Sequence, residues 1–375
     1  MSVAYCSKCC QLLTRPKLTF NSEGVCGACQ WEEEKKLIDW DKRHLLLEAM
    51  AEMAKYRAKK RGTYDACLGV SGGKDSTFTA LYARDELKLN CLLVSAFPDE
   101  ITEEGKANFD NLVNLGFDCV RIHVNPKLLR VMMRWDFLDH LHFRKATEYP
   151  LWASTYTVAK EKNIPLVIQG ENAALTLGVA EDMNTDWDAT TVYKTNTIAG
   201  ATAVEHYPLC DPKELIAYTF PDLSKWDGKA IWLNWFVKEW GQHHNAQFAV
   251  EHGLKTHAYT EENYRKYGHT YMSTCLDSFY HSPSQMHKFV KYGFGYMTDA
   301  ACYEIRDGRM TREQGFELID KYDGLCGDDL IEHLCKWLQI SRVEHDRTVD
   351  KFANKNLVEK QGDRWVLKEE IKSLR

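Results

Sequence analysis

Ser71-Gly72-Gly73-Lys74-Asp75-Ser76 packs more reactive and ligand-binding groups together than any other stretch of the chain. The two glycines let the backbone approach a ligand and take dihedrals that other residues resist. Lys74 adds a point charge, and Ser71 and Ser76 add hydroxyl donors. The preceding run Asp65-Ala66-Cys67-Leu68-Gly69-Val70 reads as a short buried strand. Residues 77–84 read as an amphipathic helix with Phe78, Leu81 and Tyr82 on one face. A strand, a glycine turn and a helix start together make an anion site. The first N–H groups of the helix have no partner within it, and the helix dipole favours negative charge there. A loop that transfers a γ-phosphate is disfavoured, because Leu68 stands where its first Gly would fall and Asp75 where its Ser/Thr would fall. The plainer alternative is a corner whose glycines only turn the chain.

Four cysteines form a second group. Cys6-x-x-Cys9 and Cys26-x-x-Cys29 lie within the spacing window of a zinc site. Four thiolates close a tetrahedral shell with no open position, so the zinc expected here is structural. Cys10 is a spare thiol that could compete with Cys9. The chain has thirteen cysteines, an odd number, and no basic-then-apolar leader in its first residues. A reducing, cytoplasmic setting is therefore expected, with no disulfide framework. No apolar run approaches a membrane span. A net charge of −6 over 375 residues argues against a dedicated nucleic-acid partner.

The elements that position these groups follow from hydrophobic patterning. Residues 31–61 read as helix, closing on a basic last turn and Gly62. Strands are expected at 91–97, 119–124 and 165–168, with a helix at 103–115 stopped by Gly116. A longer helical region from Pro126 to about Asn163 should break at Pro150. This alternation implies a parallel sheet with helices on both faces, and ligands bind beyond the strand C-termini of such sheets. Gly170-Glu171-Asn172 follows the fourth strand and can face the same ligand as the glycine turn, or Asn172 can simply cap a helix. Residues 181–225 are irregular and polar, with the character of a loop over the site or an extended arm. The aromatic stretch 230–240 reads as helix, in a core or a subunit interface. Gln242-His243-His244 is weak as a metal motif, because no third ligand follows at a known spacing.

In the C-terminal third, Asp307-Gly308 makes a turn, Thr311 and Gln314 have capping-box spacing, and Arg306 and Arg309 could grip a carboxylate or a diphosphate. The same arginines could equally be solvated turn charges.

The string SGGKDS resembles the PP-loop ATP pyrophosphatases, whose fold is adenine nucleotide α-hydrolase-like, and the Gly170-Glu171-Asn172 turn strengthens that resemblance. With the Cys pairs and KYGFGYMTD…EIRDGRMTRE…KYDG, the chain from Cys6 to about Gly324 resembles the N-acetyl sugar amidotransferase family. That resemblance implies an α/β fold in three parts: a four-cysteine zinc ribbon over 1–30, a PP-loop ATP-binding domain over 31–215, and a mainly helical substrate or partner region over 216–375. It implies an AMP-forming enzyme that turns an acetamido sugar into an acetamidino sugar for surface polysaccharide, such as lipopolysaccharide O-antigen, or for flagellar glycan. Its cofactors would be ATP, Mg²⁺ and structural Zn²⁺. Its partners would be a glutaminase and a cyclase-like ammonia-conducting subunit, with a homo-oligomer also conceivable. Ser71, Gly72, Gly73 and Ser76 would cradle the pyrophosphate. Lys74 would offset charge, Asp75 would help hold Mg²⁺, and Gly170, Glu171 and Asn172 would meet the nucleotide. Lys291, Asp299, Arg306 and Arg309 fall in the shared C-terminal motifs and are the candidate sugar-binding residues. The competing readings are a PP-loop tRNA-modifying enzyme, a thiolase or lysidine-type ligase, and a non-catalytic nucleotide-binding zinc scaffold.

Overall fold

The computed structural model describes residues 3–97, 100–180, 184–194 and 200–375. Helices α1 (Gly27–Glu34) and α2 (Trp40–Arg61) precede a five-stranded sheet. The strands are β1 (Ala66–Gly69), β2 (Cys91–Phe97), β3 (Asp118–His123), β4 (Leu166–Gln169) and β5 (Lys229–Trp232). Their order is β3-β2-β1-β4-β5, and every neighbouring pair is parallel. The crossovers carry α3 (Lys74–Leu81), α4 (Glu103–Asn114), α5 (Pro126–His140) and α6 (Lys145–Glu161), then the short α7 (Ala173–Thr176) and α8 (Ala203–His206).

The inner strands β1, β2 and β4 read as apolar runs because both faces are covered, whereas the edge strand β3 carries Asp118, Arg121 and His123 toward solvent. Alternate side chains go to opposite faces. Leu68, Leu93, Ile168 and Ile231 meet Leu47 of α2, Phe78 of α3 and Phe109 of α4. Cys67, Leu92, Val167 and Ala230 meet Tyr156 and Val158 of α6 on the other side.

After the sheet the chain is mainly helical: α9 (Gln242–Glu251), α10 (Glu261–Tyr267), α11 (His281–Tyr292), α12 (Tyr296–Arg306), α13 (Arg312–Tyr322), α14 (Asp328–Leu338) and α15 (Arg342–Phe352). A hairpin of β6 (Val358–Gln361) and β7 (Arg364–Leu367) and the short α16 (Glu369–Lys372) follow. The cysteine-bearing N-terminal segment shares one core with these helices. Tyr5 packs edge-on against Phe316, ring centroids 5.2 Å apart, and Arg312 donates to the carbonyls of Cys9 and Cys6 at 3.1 and 3.2 Å.

Several expectations hold at single residues. Gly62 ends α2 at φ +66°, and Thr311 with Gln314 forms a capping box on α13. Others are corrected. The stretch 230–240 is not a helix: Lys229–Trp232 is the fifth strand, and a single 3-10 turn at Leu233–Trp235 follows. Its aromatic residues are spaced for either element, and pairing with β4 decides between them. The sheet therefore extends past residue 215, where the sequence reading ends the ATP-binding part. The break between α5 and α6 falls at Leu141, at φ +47°, while Pro150 sits inside α6. There the proline forfeits one backbone bond near the helix start, while Tyr149, Ala153 and Tyr156 are buried around it. Within the irregular stretch, 181–183 and 195–199 lie outside the described residues.

Helix α12 depends on a carboxylate from outside it. Its N-cap, Gly295, has no side chain to offer. Asp323, 1% exposed, accepts instead from Gly295 N at 2.7 Å, Met297 N at 3.0 Å and Thr298 Oγ1 at 2.6 Å. Asp323→Ala strands these buried donors and is expected to cost about 3 kcal/mol of unfolding free energy, read by urea denaturation. Asp323→Asn, which keeps an acceptor, should cost less.

Candidate active site

Because the sheet is parallel, β1 and β4 release their C-terminal turns on the same edge. A cavity of 650 Å³ lies there. Lys74, Asp75 and Glu171 form its wall on the sheet side, Arg15 enters from the cysteine segment, and Lys288 and Asp299 enter from α11 and α12.

The glycine turn is built as its residue types require. Gly72 sits at φ +86°, and a Cβ there would lie 2.8 Å from the Phe109 backbone nitrogen, so no other residue fits. Gly73 is the N-cap of α3 and offers no side chain to the first N–H groups of the helix. Ser71 Oγ accepts from Gly73 N at 3.3 Å, and Ser76 Oγ donates to the Gly73 carbonyl at 3.0 Å. Lys74 is 4% exposed and reaches Asp75 Oδ2 at 2.5 Å, while Asn245 of α9 donates to Asp75 Oδ1 at 2.8 Å. The acid is thus aimed from two sides. Glu171 Oε1 has no partner, and burial, with Asp75 nearby, raises the Glu171 carboxyl above its ordinary pKa. Two carboxylates beside a lysine, one of them wanting a ligand, suit a hydrated Mg²⁺ with a polyphosphate.

The sequence-predicted residues divide. Lys74, Asp75, Glu171, Lys291 and Asp299 share the cavity wall. Ser71, Gly72, Gly73 and Ser76 form the turn that carries Lys74 and Asp75 but do not themselves line this cavity. Gly170 lets Trp240 close in, since a Cβ would meet that ring at 2.8 Å. Asn172 is fully buried and caps α7 through Ala174 N at 3.0 Å, while its amide donates to Asn184 O at 2.9 Å. Its observed role is the cap. Arg306 donates to Thr176 O at 3.2 Å, and Arg309 pairs with Glu304 at 2.8 Å, so the two arginines serve separate partners away from this cavity. Gln242 lines the cavity, but His244 packs on Phe78 with ring centroids 5.3 Å apart.

The far wall went unseen in the sequence. Arg15, His142, Arg144, His281, Gln285 and Lys288 come from distant segments and share no motif. Six lysines and arginines line the cavity against four acids, which favours an anionic occupant. His142 Nδ1, Gln285 Oε1 and His287 Nδ1 are buried without partners. Asp299 is held below its ordinary pKa: burial opposes its charge, but Arg15 and Lys288 outweigh it. Lys288 reaches it at 2.8 Å, and Arg15 pairs with its other oxygen.

The four cysteines do converge. Cys6, Cys9, Cys26 and Cys29 are buried with all sulfurs within 4.8 Å of one another. Cys6 to Cys29 is 3.9 Å and Cys9 to Cys26 is 3.8 Å. A tetrahedron of Zn–S bonds requires sulfurs about 3.8 Å apart, so the group can hold zinc. Lys8 N and Cys26 N donate to Cys6 Sγ at 3.4 and 3.3 Å, as backbone does toward a thiolate in a knuckle. Cys10 does not compete: its thiol points to Arg312 O at 3.5 Å, and burial pushes it up to about 12. Among the described residues no helix is long and apolar enough to cross a membrane.

The family model described as "LPS biosynthesis protein WbpG-like, C-terminal domain" matches residues 261–372. The match spans α10 to α16, which supply one wall of the cavity, and leaves the sheet outside it. No curated protein matches the chain.

Two outcomes follow from this geometry. Purified protein should carry stoichiometric zinc by elemental analysis, and Cys9→Ser should lose it together with several degrees of Tm, because Arg15 is held by the cysteine segment. Burial, with Lys291 nearby, lowers His142 to about 4. A histidine depressed on folding contributes stability that is complete above its unfolded value of about 6.5 and is lost as pH falls through that window toward the folded value. His142→Gln should therefore flatten the decline of unfolding free energy between those limits, measured by denaturation across a pH series.

Proposed function

We propose that the chain is an ATP-dependent amidotransferase that converts the acetamido group of an N-acetyl sugar into an acetamidino group, in lipopolysaccharide biosynthesis. The observation that carries the reading is a shared cavity: Lys74, Asp75 and Glu171 from the sheet face a cationic wall to which the region that resembles the WbpG-like domain contributes Lys288 and Lys291, alongside Arg15 and Arg144 from earlier segments. One side suits a polyphosphate, and the other suits an anionic sugar derivative. The resemblance of residues 261–372 to a lipopolysaccharide-biosynthesis domain supports the pathway, and the glycine turn supports the use of ATP.

An acetamido carbon resists ammonia because its nitrogen donates into the carbonyl and its oxygen leaves poorly. In the proposed reaction the amide oxygen attacks the α-phosphate of ATP, pyrophosphate leaves, and the oxygen becomes part of a good leaving group. Ammonia then replaces AMP. The protein contributes position and charge. The free N–H groups at the start of α3 and the Lys74 ammonium oppose the negative charge that builds as the α–β bond breaks. Asp75 and Glu171 fit a Mg²⁺ ion, which would neutralise phosphate charge in the same space. Ammonia would come from a glutaminase through a cyclase-like subunit.

Lys74→Ala is expected to lower sugar-dependent pyrophosphate release by about 100-fold or more. The assay uses ATP, Mg²⁺, ammonium and a panel of UDP-linked N-acetyl sugars. Near-normal release in that variant would refute the role of Lys74. Absence of release from the wild type with every sugar would refute the amidotransferase reading.

A further inference from the structure

A hydrogen-bonded chain of side chains runs from the cavity wall to the protein surface, and neither the glycine turn nor the cysteine group uses it. His287 of α11 lines the cavity and is 1% exposed. Its Nε2 lies 3.0 Å from Nε2 of His345 on α15, which is equally buried. His345 Nδ1 lies 2.8 Å from Asp346 Oδ1, and the Asp346 side chain is half exposed. His345 and Asp346 stand behind the cavity wall, so the chain leads outward. Aromatic rings sheath it. Phe137 stacks on His345 with centroids 5.4 Å apart, and Phe137 and Phe143 pack against His287 at 5.4 and 5.7 Å. The inner end is open: His287 Nδ1 is buried and has no partner among the described residues. A histidine pair kept only for packing would leave no such atom, because a buried polar group without a partner is destabilising.

The surface carboxylate fixes every proton on this chain. Burial opposes charge on Asp346, but His345 and Arg342 outweigh it and hold the carboxyl below its ordinary pKa. An ionised carboxylate only accepts, so His345 Nδ1 carries a hydrogen. Burial outweighs Asp346 and holds His345 below its ordinary pKa, so that ring is neutral and its Nε2 is a bare acceptor. His287 then donates from Nε2. Burial, with His345, Lys291 and His142 nearby, holds His287 well below its ordinary pKa, so it too is neutral. Its Nδ1 is therefore a bare lone pair at the cavity wall. The ionisable groups around it are His142 from the turn before α6, Lys291 on its own helix and His345 on α15, while α5 presents Phe137. Gln285 Oε1, also on α11 and also a cavity residue, is a second buried acceptor without a partner. Both suit an occupant that brings N–H donors.

We propose that His287 Nδ1 takes the proton released when ammonia adds to the activated acetamido carbon, and that His345 and Asp346 pass it to solvent. The proposal rests on the amidotransferase reading above for its substrate, and on the chain of hydrogen bonds for its path. Ammonia forms the C–N bond to the cationic imidate carbon, and its nitrogen becomes a substituted ammonium. That nitrogen gives one proton to His287 Nδ1. The freed electron pair forms the C=N bond of the amidinium as the C–O bond breaks, with its pair leaving on AMP. As Nδ1 gains its proton, His287 Nε2 passes its own to His345 Nε2. His345 Nδ1 passes its own to Asp346, which releases it to water. Amide, ATP and ammonia thus give amidinium, AMP, pyrophosphate and one proton, with no oxidant or reductant. A buried imidazolium is unfavourable, so a proton accepted at His287 must move on, and His345 provides the way out. When product leaves, Nδ1 loses its proton to water in the emptied cavity while Asp346 returns one from solvent, which resets both rings.

The test has two arms on the full-length, zinc-loaded protein. In the first, long-range proton–nitrogen NMR of histidine-labelled protein reads the tautomers at neutral pH, with His287→Gln and His345→Gln spectra assigning the two rings. His287 is expected as the Nε2–H form and His345 as the Nδ1–H form, both neutral. The opposite tautomer at either ring, or a charged ring, overturns the relay whatever the enzyme's substrate. In the second, amidine formation from ATP, Mg²⁺, ammonium and the UDP-linked N-acetyl sugars is compared with sugar-dependent ATP–pyrophosphate exchange without ammonium. His287→Gln should lower amidine formation about 100-fold, as loss of a proton-transfer partner does, and depress exchange far less. His345→Gln keeps an oxygen that accepts from His287 Nε2 but cannot pass a proton on. It should lower amidine formation about 10-fold or more. In the wild type the amidine rate should fall along a curve as D₂O replaces water, because several protons move together, and in His345→Gln along a straight line. A straight line in the wild type overturns the relay. Equal loss of amidine formation and exchange in both variants would mean a structural role and overturn the proposal. Full amidine formation by His345→Gln overturns it too, while leaving the amidotransferase reading intact. If no sugar supports exchange in the wild type, that reading fails instead, and the NMR arm alone judges the chain.

Discussion

A buried ion cluster at Asp299 holds the cavity together. Arg15 reaches it from the cysteine segment, Lys288 from α11, and Asp299 itself stands on α12. Taking such charges out of water is costly, and they remain charged only because each compensates the others. Removing one member would leave the remainder uncompensated in a dry place. The cluster therefore ties together three elements that are far apart in sequence, and all three line the cavity.

The cysteine group acts through the same cluster. A short segment with few apolar residues cannot fix its own backbone, and a closed four-thiolate shell can. Once fixed, the segment presents Tyr5 and Leu12 to the C-terminal helices and Arg15 to Asp299. Arg312 completes the connection by donating to two carbonyls of the knuckle. Zinc held there would fix the segment that supplies Arg15 to one wall of the cavity. On the opposite side, Asn245 of α9 aims Asp75, so that wall too is tuned from outside the glycine turn. The cavity thus draws on every major part of the chain.

Features with a local cause were legible in the order of the residues. A glycine corner after an apolar strand, two Cys-x-x-Cys pairs, a Thr-x-x-Gln cap and Gly62 after a basic turn each carry their physical reason within a few residues, and each formed as read. Assembly governed whatever depends on which segments meet. The stretch 229–235 became a strand and a turn because an open edge beside β4 was there to pair with it. Pro150 stayed inside a helix because its buried neighbours outweighed one lost backbone bond. Arg306 and Arg309, three residues apart, parted because α12 ends between them and each found its own acceptor. Arg15, His142 and Lys288 became cavity residues through contacts more than a hundred residues long in sequence, and nothing in the order of the residues records such contacts. The parallel sheet is the link between the two levels: local patterning makes its strands, and only their packing brings the ends of β1 and β4 to one edge beneath the helices.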